Sequence, residues 1–212
     1  MPGLIFDFDG LMVETESIEL DAWTTVLAEY GATVTAADFL PFIGTHDPRK
    51  AERLLRGMLG PEADLDAFRE RTRAARHSLA LAAPLLDGVI DLLDDAKRAG
   101  WKVGLGSTSP REWIDMHLDH RGLLDRFDAI VTREDVERVK PDPDIYLEVA
   151  RRLDIDPSEC VVLEDSEPGC RAAKAAGMRV IAVPTEMTRP SDFSMADRVV
   201  ATLGEVTLSE LA

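Results

Sequence analysis

Leu4-Ile5-Phe6-Asp7-Phe8-Asp9-Gly10 is a short apolar run that opens the chain and breaks into two aspartates and a glycine. A buried strand of a parallel sheet reads this way, apolar along its length and polar in the loop at its carboxyl end. Runs of the same kind recur at Val103-Gly104-Leu105, Ala129-Ile130-Val131, Val161-Val162-Leu163 and Val180-Ile181-Ala182-Val183, with a weaker one at Arg198-Val199-Val200. Helical patterns lie between them, at Val89 to Ala99, Glu112 to His120, Ile145 to Leu153 and Cys170 to Ala176. Gly100, Gly122 and Gly177 close three of these. Strands alternating with helices of this length predict an α/β fold, a Rossmann-like parallel sheet with helices on both faces.

Ser17 to Ala82 departs from the alternation. It reads as helices only, over Ile18 to Tyr30, Pro48 to Leu59 and Leu65 to Leu81, punctuated by Gly31, Gly44 and Gly60-Pro61. The expected organisation is a catalytic core of residues 1–16 and 83–212, with an all-α cap of residues 17–82 inserted after the first strand. No internal repeat, low-complexity tract or Gly/Ser linker interrupts it.

The chain has 212 residues, 45% of them hydrophobic and 30% charged, enough for one sizeable core with a smaller insertion. Lys and Arg number 24 against 40 Asp and Glu, a formal net charge of -16. That balance excludes nucleic acid and anionic membranes as expected partners, since both need a basic face. Cys160 and Cys170 match no zinc spacing and read as reduced thiols. No basic segment precedes the first apolar run, and no apolar stretch is long enough to span a bilayer. The expectation is a cytoplasmic protein, monomeric or a weak homodimer.

In an open parallel sheet the working crevice lies beyond the carboxyl ends of the strands. Asp7, Asp9 and Gly10 follow the first strand, and Ser107, Thr108 and Ser109 the second. Lys140-Pro141 lies after the third, and Glu164, Asp165 and Ser166 follow the fourth. Asp7 and Asp9, two apart in extended backbone, share a face. Two close carboxylates repel unless one is protonated or a cation lies between them. Asp165 adds a further oxygen ligand, and so few carboxylates with open positions suit Mg2+. Ser107, Thr108 and Lys140 would then meet phosphate oxygens.

Phe6-Asp7-Phe8-Asp9-Gly10 through Val13, Gly106-Ser107-Thr108, Lys140-Pro141-Asp142-Pro143-Asp144-Ile145-Tyr146 and Glu164-Asp165-Ser166 with Gly169 together resemble the four motifs of the haloacid dehalogenase superfamily, in the family's order. Cys160 to Met178 is similar to its β-phosphoglucomutase-like and sugar-phosphate phosphatase branch. The resemblance spans Leu4 to about Pro184. It implies a Mg2+-dependent phosphatase acting on a small phosphorylated metabolite. Asp7 would be the nucleophile that becomes an aspartyl-phosphate, and Asp9 the general acid and base. Metal would be held by Asp7, the Asp9 backbone carbonyl and Asp165, with Glu164 holding a metal-bound water or orienting Asp165.

The insertion should choose the substrate. It carries eight Lys and Arg against ten Asp and Glu, so most of the acidic excess lies on the core. Arg49, Lys50, Arg53, Arg56, Arg69, Arg71, Arg73 and Arg76 make part of it locally basic, and one or two of these, Arg49 first among them, with His46 are its candidates for binding the leaving group or a second phosphate. Glu14 stands where the branch usually has Asp, and Glu19 where its mutases carry a histidine that assists the acid/base residue. The missing histidine favours hydrolysis over the alternative, a sugar phosphomutase. Asp9 speaks against the family's dehalogenases and phosphonatases. A non-enzymatic phospho-acceptor module is the remote alternative. Trp23, Trp101 and Trp113 read as core or rim, and Gly104-Leu105-Gly106 lacks the third glycine of a dinucleotide loop.

Overall fold

The computed structural model describes residues 2–44 and 47–211. In chain order the elements are β1 (Gly3–Phe6), α1 (Glu16–Glu29), α2 (Ala36–Phe39), α3 (Pro48–Leu59), α4 (Leu65–Ala82), α5 (Val89–Arg98), β2 (Lys102–Gly106), α6 (Arg111–His120), β3 (Ala129–Val131), α7 (Asp144–Leu153), β4 (Cys160–Glu164), α8 (Glu167–Ala175), β5 (Arg179–Ala182), β6 (Arg198–Val199) and α9 (Leu208–Leu211). The six strands form one parallel sheet in the order β3-β2-β1-β4-β5-β6. β1 lies between β2 and β4, where the winding reverses, so the loop after it opens into the crevice that such a sheet leaves at its switch point.

Strand parity sorts the core into two layers. Leu4 and Phe6 face a cluster with Val89, Leu93, Ile114 and Leu118 of α5 and α6, while Ile5 faces Tyr146, Val149, Cys170 and Ala173 of α7 and α8. A third cluster belongs to the helices between β1 and α5, where Trp23, Leu27, Phe39, Leu55 and Phe68 pack on one another. Among the described residues no helix is long and apolar enough to cross a membrane. Both cysteines are free and buried.

Two local differences from the sequence reading have physical causes. α8 starts at Glu167 rather than Cys170, because Pro168 is in the first turn, where no backbone N–H is needed, and the Ser166 hydroxyl accepts from the Gly169 amide at 3.3 Å. α2 went unread. Its signal is the Thr35-to-Asp38 capping box, in which each side chain accepts from the other's amide.

Inside the core, His117 of α6 is fully buried, its ring centroid 4.2 Å from that of Trp113 and 5.2 Å from that of Phe8. Burial, with the nearby Arg121 charge adding to it, pulls the imidazole from 6.5 down to about 4, against the opposing pull of Asp9. A depressed histidine leaves stability untouched above its unfolded value. Between about pH 6.5 and 4 the unfolded chain takes up a proton that the native state refuses, so stability falls as the pH drops. Urea unfolding of the parent and of His117→Met across that window should show a shallower acid loss in the variant. Parallel curves would mean that His117 does not titrate on unfolding.

Candidate active site

The chain leaves β1 still extended: the Asp7 amide donates to the Leu163 carbonyl at 3.0 Å, which holds Asp7 against the end of β4. It then turns tightly, with the Gly10 amide donating to the Val13 carbonyl at 2.9 Å. Gly10 has φ of 78°, and a Cβ there would lie 2.3 Å from Asp165 Oδ2. The glycine is therefore needed twice, for the left-handed turn and for the carboxylate behind it.

Asp7 and Lys140 are both buried, and the Lys140 ammonium donates to Asp7 Oδ1 and to Glu164 Oε1, the latter at 2.7 Å. Glu164 also accepts from the Tyr146 hydroxyl at 2.7 Å, and its other oxygen takes the Ser166 amide at 2.9 Å and hydroxyl at 2.8 Å. Four donors fill the lone pairs of one carboxylate. Its oxygens are thus engaged by Lys140, Tyr146 and Ser166. A Cβ on Gly169 would fall 1.7 Å from Glu164 Oε1, so α8 approaches this carboxylate only because residue 169 has no side chain.

Burial pushes the Asp7 carboxyl up to about 8; Lys140 opposes the rise, and Glu164 and Asp9 add to it. Asp165 lies well above the usual carboxylate range for the same reason, burial first and then the Glu164 and Asp7 charges. Burial works against the Lys140 charge, but the Asp7 and Glu164 carboxylates outweigh it and hold the ammonium above an ordinary lysine. Acidic groups at Asp7, Glu164 and Asp165 come within 4.8 Å of one another, and Asp165 Oδ2 is buried with no hydrogen-bond partner among the described residues. Crowded buried carboxylates with an orphaned oxygen fit a hard divalent cation.

Asp9 faces the same cavity and is held by three donors. Oδ1 accepts from the Thr15 hydroxyl at 2.7 Å and the Trp113 indole at 3.0 Å, and Oδ2 from the Ser109 hydroxyl at 2.6 Å. Ser107 is buried at the end of β2, its amide on the Val131 carbonyl and its hydroxyl accepting from the Ser109 amide at 3.0 Å. Thr108 lines the cavity beside it. The sequence-read set Asp7, Asp9, Ser107, Thr108, Lys140, Glu164 and Asp165 thus converges on one crevice.

Residues 4–183 match the family model described as haloacid dehalogenase-like hydrolase. The chain belongs to this family. Hexitol phosphatase B of Escherichia coli (strain K12) is 34% identical over 98% of this chain and 95% of its own length. Fructose-1-phosphate phosphatase YqaB of the same organism is 37% identical over 85% of this chain and 95% of its own. Among solved structures, a variant of CbbY from Rhodobacter sphaeroides in complex with xylulose-(1,5)bisphosphate superposes with a TM-score of 0.86 at 30% identity, covering 100% of this chain and 99% of that one. The enzyme class read from the motifs, a phosphomonoester hydrolase, agrees with this membership.

The helical insertion roofs the hydrolase's cavity, which has a volume of about 540 Å³. Glu19 lines it, accepting from the Trp23 indole at 2.9 Å and the Arg76 guanidinium at 2.5 Å. Two other residues expected at the substrate are elsewhere. Glu14 accepts from the Ser17 amide at 3.1 Å, capping the start of α1, and Arg49 is exposed on the first turn of α3; neither lines the cavity. Of the expected basic candidates, Arg69, Arg73 and Arg76 from α4 do line it, joined by Arg133 from the core. His46 lies outside the described residues. The sequence reading did not name Thr15 or Glu16, and it named Ser109, Trp113 and Tyr146 without the partners they have here, Asp9 for the first two and Glu164 for the third. The Glu16 carboxyl lines the cavity and is raised well above its ordinary value by burial and by the charges of Asp9, Glu19 and Glu14. Ser109 stood at a strand end, a signal available from the start, whereas the indole of Trp113 had none.

Proposed function

We propose that this hydrolase releases phosphate from a small phosphorylated metabolite, a sugar phosphate or similar phosphomonoester, with Mg2+ and through a phosphoryl group carried on Asp7. The observation that carries the reading is Asp7 itself, a buried carboxylate at the sheet's switch point, clamped by Lys140 and facing Asp9 across one cavity. The names of the two phosphatases and of the CbbY complex support a phosphorylated sugar or polyol as substrate class.

An Asp7 oxygen attacks phosphorus, the bond from phosphorus to the leaving oxygen breaks, and that oxygen takes a proton from Asp9. Water then attacks the aspartyl-phosphate and gives its proton to Asp9, the acyl phosphate bond breaks, and Asp7 is free again. Lys140, fixed by Glu164, neutralises charge beside Asp7, and Ser107 and Thr108 receive phosphoryl oxygens. Asp7, Asp165 and the Asp9 carbonyl would hold the Mg2+, which supplies charge neutralisation for the phosphoryl group. Domain limits of 1–16 with 83–212 and 17–82 follow from the same reading, since the helices between β1 and α5 own a separate apolar cluster.

Hydrolysis is favoured over phosphoryl return to a second substrate because Glu19, bound to Arg76 and Trp23, is where a mutase of this branch carries its histidine. A phosphate-release screen over sugar phosphates, hexitol phosphates, nucleoside monophosphates and phosphoglycolate tests the proposal. Turnover of a sugar or hexitol phosphate, abolished by EDTA and restored by Mg2+, is expected. Conversion of glucose 1-phosphate to the 6-phosphate with little free phosphate would replace this reading by the mutase. A durable phospho-Asp7 with no turnover of p-nitrophenyl phosphate would replace it by the phospho-acceptor.

A further inference from the structure

The three donors on Asp9 differ in kind. The Thr15 and Ser109 hydroxyls rotate and can follow the carboxyl through a range of positions, whereas an indole N–H lies in the plane of a ring and points one way. The Trp113 ring is itself fixed. It is 7% exposed, packs against His117, and has the Arg76 guanidinium 4.5 Å from its centroid. A cation over an aromatic face is held there by the ring quadrupole. Arg76 comes from α4 in the helical insertion and is paired at 2.5 Å to Glu19 of α1, also in the insertion. A continuous series of contacts therefore runs from the insertion, Glu19 to Arg76, onto the core indole and from its N–H to Asp9.

We infer that Trp113 is a positioning residue that sets the direction of the Asp9 carboxyl, and that Arg76, held by Glu19, acts on Asp9 through Trp113. The inference rests on the reading of Asp9 as the group that protonates the leaving oxygen. It gives Glu19 and Arg76 a task apart from touching substrate. With the insertion seated over the crevice the guanidinium covers the indole, so the alignment of Asp9 depends on that seating.

The leaving group separates this role from a structural one. An alkoxide needs the Asp9 proton as its bond to phosphorus breaks, whereas p-nitrophenolate leaves without one. The value of kcat/KM should be measured for fructose 1-phosphate, or the alkyl phosphate that turns over fastest in the phosphate-release screen, and for p-nitrophenyl phosphate. The enzymes are the parent, Trp113→Phe, Arg76→Met, Arg76→Lys and the Trp113→Phe/Arg76→Met double variant, each checked for an unchanged far-ultraviolet spectrum. Trp113→Phe keeps a ring but loses the N–H, and is expected to lower the alkyl-to-aryl ratio by about tenfold. Arg76→Met should lower it by about threefold and Arg76→Lys should restore most of that loss. In the double variant the ratio should match Trp113→Phe alone, because Arg76 acts through the ring.

Equal losses against both substrates would overturn the inference, as would an unmoved ratio or losses in the ratio that add in the double variant. If Trp113→Phe fails to fold, the ratio in Arg76→Met still supports or overturns the inference, since Arg76 is partly exposed and its loss is milder for the fold. A parent enzyme with no Mg2+-dependent turnover of either ester would instead remove the proposed function. A parent that turns over both, with variants that leave the ratio unchanged, removes only this inference.

Discussion

Asp7→Asn is expected to lower Mg2+-dependent phosphate release by at least about 10⁴-fold. The amide oxygen of asparagine is a poor nucleophile, and its nitrogen cannot accept the phosphoryl group to give a hydrolysable intermediate. The substitution keeps the volume of the side chain, and the amide can turn its oxygen toward the Lys140 ammonium that now meets Asp7 Oδ1. Packing should therefore survive, and the apoprotein should melt close to the parent. Burial already pushes the Asp7 carboxyl up to about 8, so the charge removed is one that the fold holds at a cost. The two readouts must separate: phosphate release lost, fold kept. Phosphate release above about 1% of the parent would remove Asp7 from the role of nucleophile.

Strand-end logic located Asp7, Asp9, Ser107, Lys140 and Asp165 because a parallel sheet fixes where its loops must meet, and sequence shows where each strand stops. Glu164 shows how much finer the reading must be. It directly precedes Asp165, yet the two serve different surroundings. Along β4, Val162 faces the α7 and α8 layer, and Glu164, two residues on, shares that parity and meets Tyr146 and Ser166 as well as the Lys140 that it shares with Asp7. That assignment was open to period-two counting, with Gly169 as a second clue. The partners of Asp9 were not accessible in the same way. Trp113 lies 104 residues away, and its indole reaches Asp9 only because α6 packs beside the β1 loop. Arg76 and Glu19 are 57 residues apart, on two helices whose pairing is decided by the apolar cluster around Trp23 and Phe68. Local pattern names elements and their ends. Side-chain partners between elements come from packing, which no local spacing encodes.

Lys140→Met is expected to damage both the fold and the chemistry. The lysine is 1% exposed and its ammonium is shared between Asp7 and Glu164. Removing it leaves two buried carboxylates near one another without their common cation, a loss on the order of 3–5 kcal/mol in unfolding free energy. Phosphate release should fall by about 10²–10³-fold, the usual size for losing a preorganised positive group at a developing charge. Methionine fills much the same stem volume, so the effect is one of charge rather than of a cavity. A second substitution decides whether Glu164 serves to hold this lysine. Glu164→Gln added to Lys140→Met removes one of the stranded charges; the amide oxygen can still accept from Ser166, and the NH2 can donate to the Tyr146 hydroxyl, which can accept. The double variant should unfold at higher urea than Lys140→Met alone, yet recover no activity, because Asp7 still lacks its cation. If Lys140→Met unfolds with the parent, the buried triad is not what secures this corner of the sheet. If the double variant is no more stable than the single, Glu164 answers to Tyr146 and Ser166 rather than to Lys140.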